Sequence, residues 1–157
     1  MKQKLYIETS VISYLTARPS RDLIIAAHQQ ITTDWWGNRR AQFDLYTSQV
    51  VLNEASLGDS EAASKRTEAL QGIDLLDITD EVAELSEKLI SEKCLPEKAV
   101  EDTLHIAISA IHGTDYLLTW NCKHIANAEM RLQIEEIIRI SGYKPPIICT
   151  PEELLGE

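Results

Sequence analysis

PEKAVEDTLHIAISAIHGTDYLLTW, residues 96–120, holds a complete helix-and-strand unit. Pro96 suits the first position of a helix, where a missing N–H leaves nothing unpaired. Val100, Leu104, Ala107, Ile108 and Ile111 recur at the spacing of one helical face, and Gly113 is the stop. The next segment, DYLLTW, is a short apolar run that reads as a strand. A helix feeding a short buried strand is the repeating unit of a parallel sheet covered on both faces.

The same alternation extends in both directions. Lys4 to Ile7 is a first buried strand that ends on Glu8, Thr9 and Ser10. DLIIAAHQQITTDWW (22–36) spaces Leu23, Ala27, Ile31 and Trp35 by four, which predicts an amphipathic helix with those residues on its buried stripe. FDLYTS (43–48) is a strand, Ser48 can cap a helix through QVVLNEASL, and Gly58 closes it. SEAASKRTEAL (60–70) is a further helix, and IDLLDI (73–78) a third strand. A helix opened by Thr79 or Asp80 then runs to about Cys94. After residue 120, AEMRLQIEEIIRISG (128–142) is a helix, PIICT (146–150) a fifth strand, and TPEELL a capped final turn with Thr150, Pro151 and Glu153 in a capping box. The pattern predicts an α/β/α sandwich, three layers around a central parallel sheet of about five strands, formed as a single domain over residues 1–157.

Bulk properties narrow the function classes. At 157 residues, 44% hydrophobic and 25% charged, the chain can bury a full core. No apolar run approaches the roughly 20 residues of a membrane span, and the residues before Glu8 are too few for a signal peptide. Cys94, Cys122 and Cys149 form no C-x-x-C pair and suit a reducing cytoplasm as small core residues. The formal net charge of −10 argues against diffuse nucleic-acid binding, which draws on many Lys and Arg contacts to phosphate. It leaves room for an enzyme that uses a bound metal and a local cation cluster.

In a parallel α/β sheet the functional crevice lies at the carboxyl ends of the strands. Glu8 follows the first strand, and Thr119, Trp120 and Asn121 end the fourth strand or follow it. Glu54 lies two turns into the helix after the second strand, and Asp102 in the first turns of the helix that enters the fourth. Singly, each has an ordinary explanation: Glu8, Thr9 and Ser10 as a helix cap, Glu54 as a solvated face, Asp102 as a dipole complement, Asn121 as a turn residue. Together they bring three carboxylates and a carboxamide to one edge, where gathered carboxylates raise each other's pKa unless a cation joins them. Mg²⁺ or Mn²⁺ suits such oxygen ligands.

Four blocks carry a family resemblance: KLYIETSVISYL (4–15), TSQVVLNEASLG (47–58), EDTLHIAISAIHGTDYLLTWNCKHIAN (101–127) and PIICTPEELL (146–155). In order and over essentially the whole chain, they resemble a PIN domain of the bacterial VapC-toxin-like branch. The resemblance implies a Mg²⁺- or Mn²⁺-dependent ribonuclease, often a toxin paired with an antitoxin protein, and a homodimer. It assigns Glu8, Glu54 and Asp102 as metal-binding and catalytic carboxylates, and Asn121 as a catalytic position where many members carry a third aspartate. Thr9, Ser10 and Thr119 match supporting hydroxyls. Two residues depart from the family pattern. Glu8 replaces an aspartate, moving its carboxylate by on the order of 1 Å at a metal that tolerates little geometric error, and Asn121 lacks a charge.

In that reading Glu54 is a second ligand or orients water, as a carboxylate can when its pKa is tuned upward. Lys123 and His124 can meet substrate phosphates, as can Arg18 and Arg21 near the mouth. His105, one turn beyond Asp102, is either core-edge packing or chemistry. Trp35 continues the core, while the adjacent Trp36 suits a partner surface. A haloacid-dehalogenase-like phosphatase wants Asp-x-Asp where this chain has Glu8-Thr9-Ser10. The remaining alternative is a PIN scaffold that binds RNA or a partner protein without cutting.

Overall fold

A computed structural model describes residues 1–157. Its centre is a sheet of strands β1 (Gln3–Ile7), β2 (Phe43–Ser48), β3 (Asp74–Leu76), β4 (Tyr116–Leu118) and β5 (Ile147–Cys149). They lie in the order β3-β2-β1-β4-β5, every neighbouring pair parallel. β1 is central, with Leu5 opposite Leu45 on one side and Tyr116 on the other. Leu5, Tyr6 and Ile7 are fully buried, because a central strand covered on both faces has no wet side to alternate toward.

The chain builds outward from β1 through β2 to β3, then crosses back to place β4 and β5 on the far side. Strand order therefore reverses between β1 and β4, and the carboxyl ends of those two strands flank the crevice that such a reversal opens. Glu8 and Thr119 directly follow them.

Seven helices flank the sheet: α1 (Thr9–Thr16), α2 (Leu23–Asn38), α3 (Gln49–Ala55), α4 (Ser60–Leu70), α5 (Asp80–Ser91), α6 (Val100–Ile111) and α7 (Ala128–Ile140). The sequence spells most of their starts. Asp22, Ser48, Asp59, Thr79 and Asn127 each accept a hydrogen bond from a first-turn amide. Gly113 takes φ 68° just after α6, a left-handed turn that a side chain would strain. The Thr150–Glu153 capping box is present and opens a short 3₁₀ helix, Pro151–Leu154. No helix is long and apolar enough to cross a membrane.

Three local expectations change. The α2 stripe is spaced by four, and at 3.6 residues per turn each such step rotates about 40°. Leu23 and Trp35 thus end about 120° apart: Trp35 is fully buried, whereas Leu23 is 86% exposed and Ala27 is exposed as well. α6 begins at Val100, after a 3₁₀ turn at Glu97–Ala99 that follows Pro96, and Val100 is itself exposed. Burial in α6 instead runs through His105 to Ala110, since both the sheet and α5 cover that half of the helix. Cys94 and Cys149 are core residues as expected, but Cys122 is exposed in the loop after β4. Trp36 is half-buried, with the Arg40 guanidinium 4.0 Å over its ring.

Candidate metal centre

Glu8 does two jobs at once. Its backbone is extended (φ −89°, ψ 156°) and its carboxylate caps α1 by accepting from the Ser10 amide at 3.1 Å. The same carboxylate accepts from the Ser10 hydroxyl and, at 2.5 Å, from the Thr119 hydroxyl after β4. Three donors from two chain segments fix a carboxylate that is only 4% exposed. Each hydroxyl is held in turn, Ser10 Oγ by the Trp120 amide at 2.8 Å and Thr119 Oγ1 by the Asn121 amide at 2.9 Å.

Glu54, in the last turn of α3, is half-buried. Its Oε1 accepts from Thr9 Oγ1 and from His105 Nε2, both at 2.7 Å. His105 is wholly buried, and its Nδ1 lies 2.7 Å from the Tyr6 hydroxyl, itself 2.7 Å from Ser48 Oγ. A carboxylate only accepts, so Nε2 carries a proton. Burial alone would lower the His105 pKa, but the bond to Glu54 and the charges of Glu8, Glu54 and Asp102 outweigh it and hold it above its usual 6.5. A protonated ring then donates from both nitrogens, and Tyr6 passes its own O–H to Ser48. Burial also drives the Tyr6 hydroxyl far above the ordinary tyrosine range.

Burial pushes Glu54 up, yet the bond and charge of His105, followed by the Thr9 hydroxyl, bring it below the usual carboxylate value. This reverses the expectation of an upward-tuned Glu54. The carboxyl that does move up is Glu101, through burial and the neighbouring Glu54.

Ligand-capable atoms of Glu8, Glu54 and His105 lie within 4.8 Å of one another. Asp102 belongs to a second group beside them. Its Oδ1 accepts from Asn121 Nδ2 at 3.1 Å and its Oδ2 from His124 Nδ1 at 3.0 Å, while Asn121 Oδ1 accepts from the His124 amide at 3.1 Å. The carboxamide and the imidazole thus grip Asp102. Asp102 precedes His105 by three residues on α6, within reach of its charge. Lys123 is exposed beside this group, Arg21 is exposed ahead of α2, and Arg18 approaches Glu61 at 3.9 Å on α4.

His105 and Glu101 are the residues that sequence reasoning undervalued. The only signal for His105 was its i, i+3 spacing from Asp102; nothing local announced Tyr6 or Glu54 as its partners. Four carboxylates now surround one imidazole, and after burial it is the neighbouring Glu54 and Asp102 that move Glu101 up. A divalent cation relieves that excess charge, and carboxylate oxygens suit Mg²⁺ or Mn²⁺, so the residues present fit such an ion. In the structure as it stands, His105 serves as the charge partner of Glu54; to ligate a metal through Nε2 it must release that bond and proton. No protein-family model matches the chain, and no curated protein matches it.

Proposed function

We propose that this protein is a metal-dependent ribonuclease of the PIN kind, hydrolysing RNA phosphodiester bonds with Mg²⁺ or Mn²⁺ at the carboxyl edge of its sheet. The observation that carries the reading is the convergence of Glu8, Glu54 and His105 within 4.8 Å, beside Asp102, at the strand-order reversal. The substrate class rests on the resemblance of the four sequence blocks.

Glu8 and Glu54 are the groups that would hold the cation, with Asp102 alongside. When bound, Mg²⁺ or Mn²⁺ supplies Lewis-acid polarisation of a phosphoryl oxygen and offsets developing negative charge. The chain's part is to keep its carboxylates still: Ser10 and Thr119 fix Glu8, Thr9 and His105 fix Glu54, and Asn121 and His124 fix Asp102. Such outer hydrogen bonds orient ligands and save reorganisation during reaction. The bond and charge of His105 hold the Glu54 pKa down, while burial and the neighbouring Glu54 move that of Glu101 up. The same resemblance supports a toxin role, with an antitoxin partner and a homodimeric assembly; a small reading frame beside the gene whose product silences the activity is the test of that role.

One observation favours a second reading, a scaffold that binds RNA or protein without cutting. His105 Nε2 already donates to Glu54, and the surrounding carboxylates raise its pKa, so the acidic group has a partner of its own without a metal. Cleavage of single-stranded RNA by purified protein in Mg²⁺, Mn²⁺ or EDTA separates the two, run beside Glu54→Gln and Asp102→Asn. The nuclease reading expects cutting in metal only, reduced in both variants by more than about 100-fold, the upper range for losing merely a supporting partner. Cutting that persists in EDTA or in both variants, or no cutting in any metal, overturns it.

A further inference from the structure

Next to the acidic group lies an aromatic stack that the proposed reaction does not use. Trp120 stands between Thr119, which holds Glu8, and Asn121, which holds Asp102, and its amide is bonded to Ser10 Oγ. Its indole is 8% exposed and donates from Nε1 to Thr32 Oγ1 at 2.7 Å. The His28 imidazole covers it, with ring centres 4.1 Å apart and planes 13° from parallel. Tyr14 meets both rings edge-on, at 5.9 Å from His28 and 6.1 Å from Trp120. With Trp120 covered, the aromatic surface that solvent meets belongs to His28 and Tyr14, both half-buried. Tyr14 is four residues beyond Ser10 on α1, so the two share a helix face about one turn apart.

Charge gives this stack a role. The chain is strongly acidic, Lys123 and Arg21 are the exposed cations near this edge, and several others are already engaged. Arg66 donates to the Ala55 and Leu57 carbonyls, Arg39 to that of Leu154, Arg40 covers Trp36, and Arg18 and Lys65 approach Glu61. A phosphate-tracking groove has little to build on. Base stacking needs no net charge, because every nucleobase has a π-face.

We propose that His28 and Tyr14 form a stacking platform for an unpaired nucleobase of the strand held at the acidic group. The inference rests on the ribonuclease reading and deepens it. Duplex RNA, whose base faces already cover one another, is excluded from the platform.

The test is binding of a labelled single-stranded RNA to the full chain in Ca²⁺, with strand integrity checked. A duplex of the same sequence and an abasic strand of the same length are the comparison probes. The platform requires tighter binding of the single strand than of either probe, with a shallow dependence of affinity on salt. His28→Ala is expected to raise Kd about 5- to 150-fold, the range of one base–aromatic stack, and His28→Phe to retain binding. Equal affinity for single-stranded and abasic strands refutes the platform and needs no variant. So does a Kd that His28→Ala leaves unchanged, or that His28→Phe raises as much as His28→Ala does. Metal-dependent cleavage with no preference for intact bases sinks the platform alone. Base-dependent binding with no cleavage in any metal sinks the nuclease reading alone.

Discussion

Replacing His105 with leucine keeps the volume of a fully buried side chain and removes the imidazole that partners Glu54 inside the acidic group. A charge-assisted hydrogen bond such as His105 Nε2 to Glu54 Oε1 contributes about 1.5–3 kcal/mol, and the Tyr6 oxygen loses a buried donor that adds about 1 kcal/mol. The loss expected for His105→Leu is therefore about 2–4 kcal/mol. At about 2.1 cal/mol/K per residue, the unfolding entropy of 157 residues is about 0.33 kcal/mol/K, so Tm should fall by about 6–12 °C. The pH dependence carries more information. The folded pKa of His105 is raised, so its stabilisation is full below its usual 6.5 and fades as pH climbs through the folded value. The folded pKa of Glu54 is lowered, so its stabilisation is full above its usual 4.5 and fades as pH falls through the folded value. Both contributions are complete between 4.5 and 6.5. Urea unfolding followed by tryptophan fluorescence in EDTA, from about pH 4 to 9, compares wild type with His105→Leu. Their stability difference should be largest in that window and shrink on the alkaline side. A difference that stays flat or grows above pH 6.5 means His105 is buried neutral and refutes the charge assignment.

Two further outcomes probe other parts of the fold. Asn121→Asp removes a donor to Asp102 and sets a second carboxylate beside it, which should cost about 1–3 kcal/mol in EDTA and be recovered in Mg²⁺. Calorimetry showing no greater Mg²⁺ stabilisation of the variant than of wild type would count against a cation at this edge. On α2, Leu23→Glu should leave stability within about 0.5 kcal/mol, whereas Trp35→Ala should lose about 3–5 kcal/mol. Comparable losses in denaturant titration would mean the start of α2 is covered in solution.

The layer order, most helix starts and the position of Glu8 were legible in the amino-acid sequence because each is local. A short apolar run, a capping side chain or a Gly113 stop acts within a few residues of itself, and alternation of helix and strand is enough to imply a parallel sheet. Even Glu8 as a strand-end carboxylate flanked by hydroxyls could be read from KLYIETS alone. What the tertiary structure decided was partnership and charge. Glu54 meets His105 across 51 positions, Tyr6 meets His105 across 99, and Thr119 meets Glu8 across 111. Those meetings raised the pKa of a buried His105, turned Glu54 down and Glu101 up, and gave Asp102 to Asn121 and His124. They depend on the order β3-β2-β1-β4-β5, which brings the ends of β1 and β4 side by side. Protonation follows burial and neighbouring charge in three dimensions, and a sequence orders residues along only one.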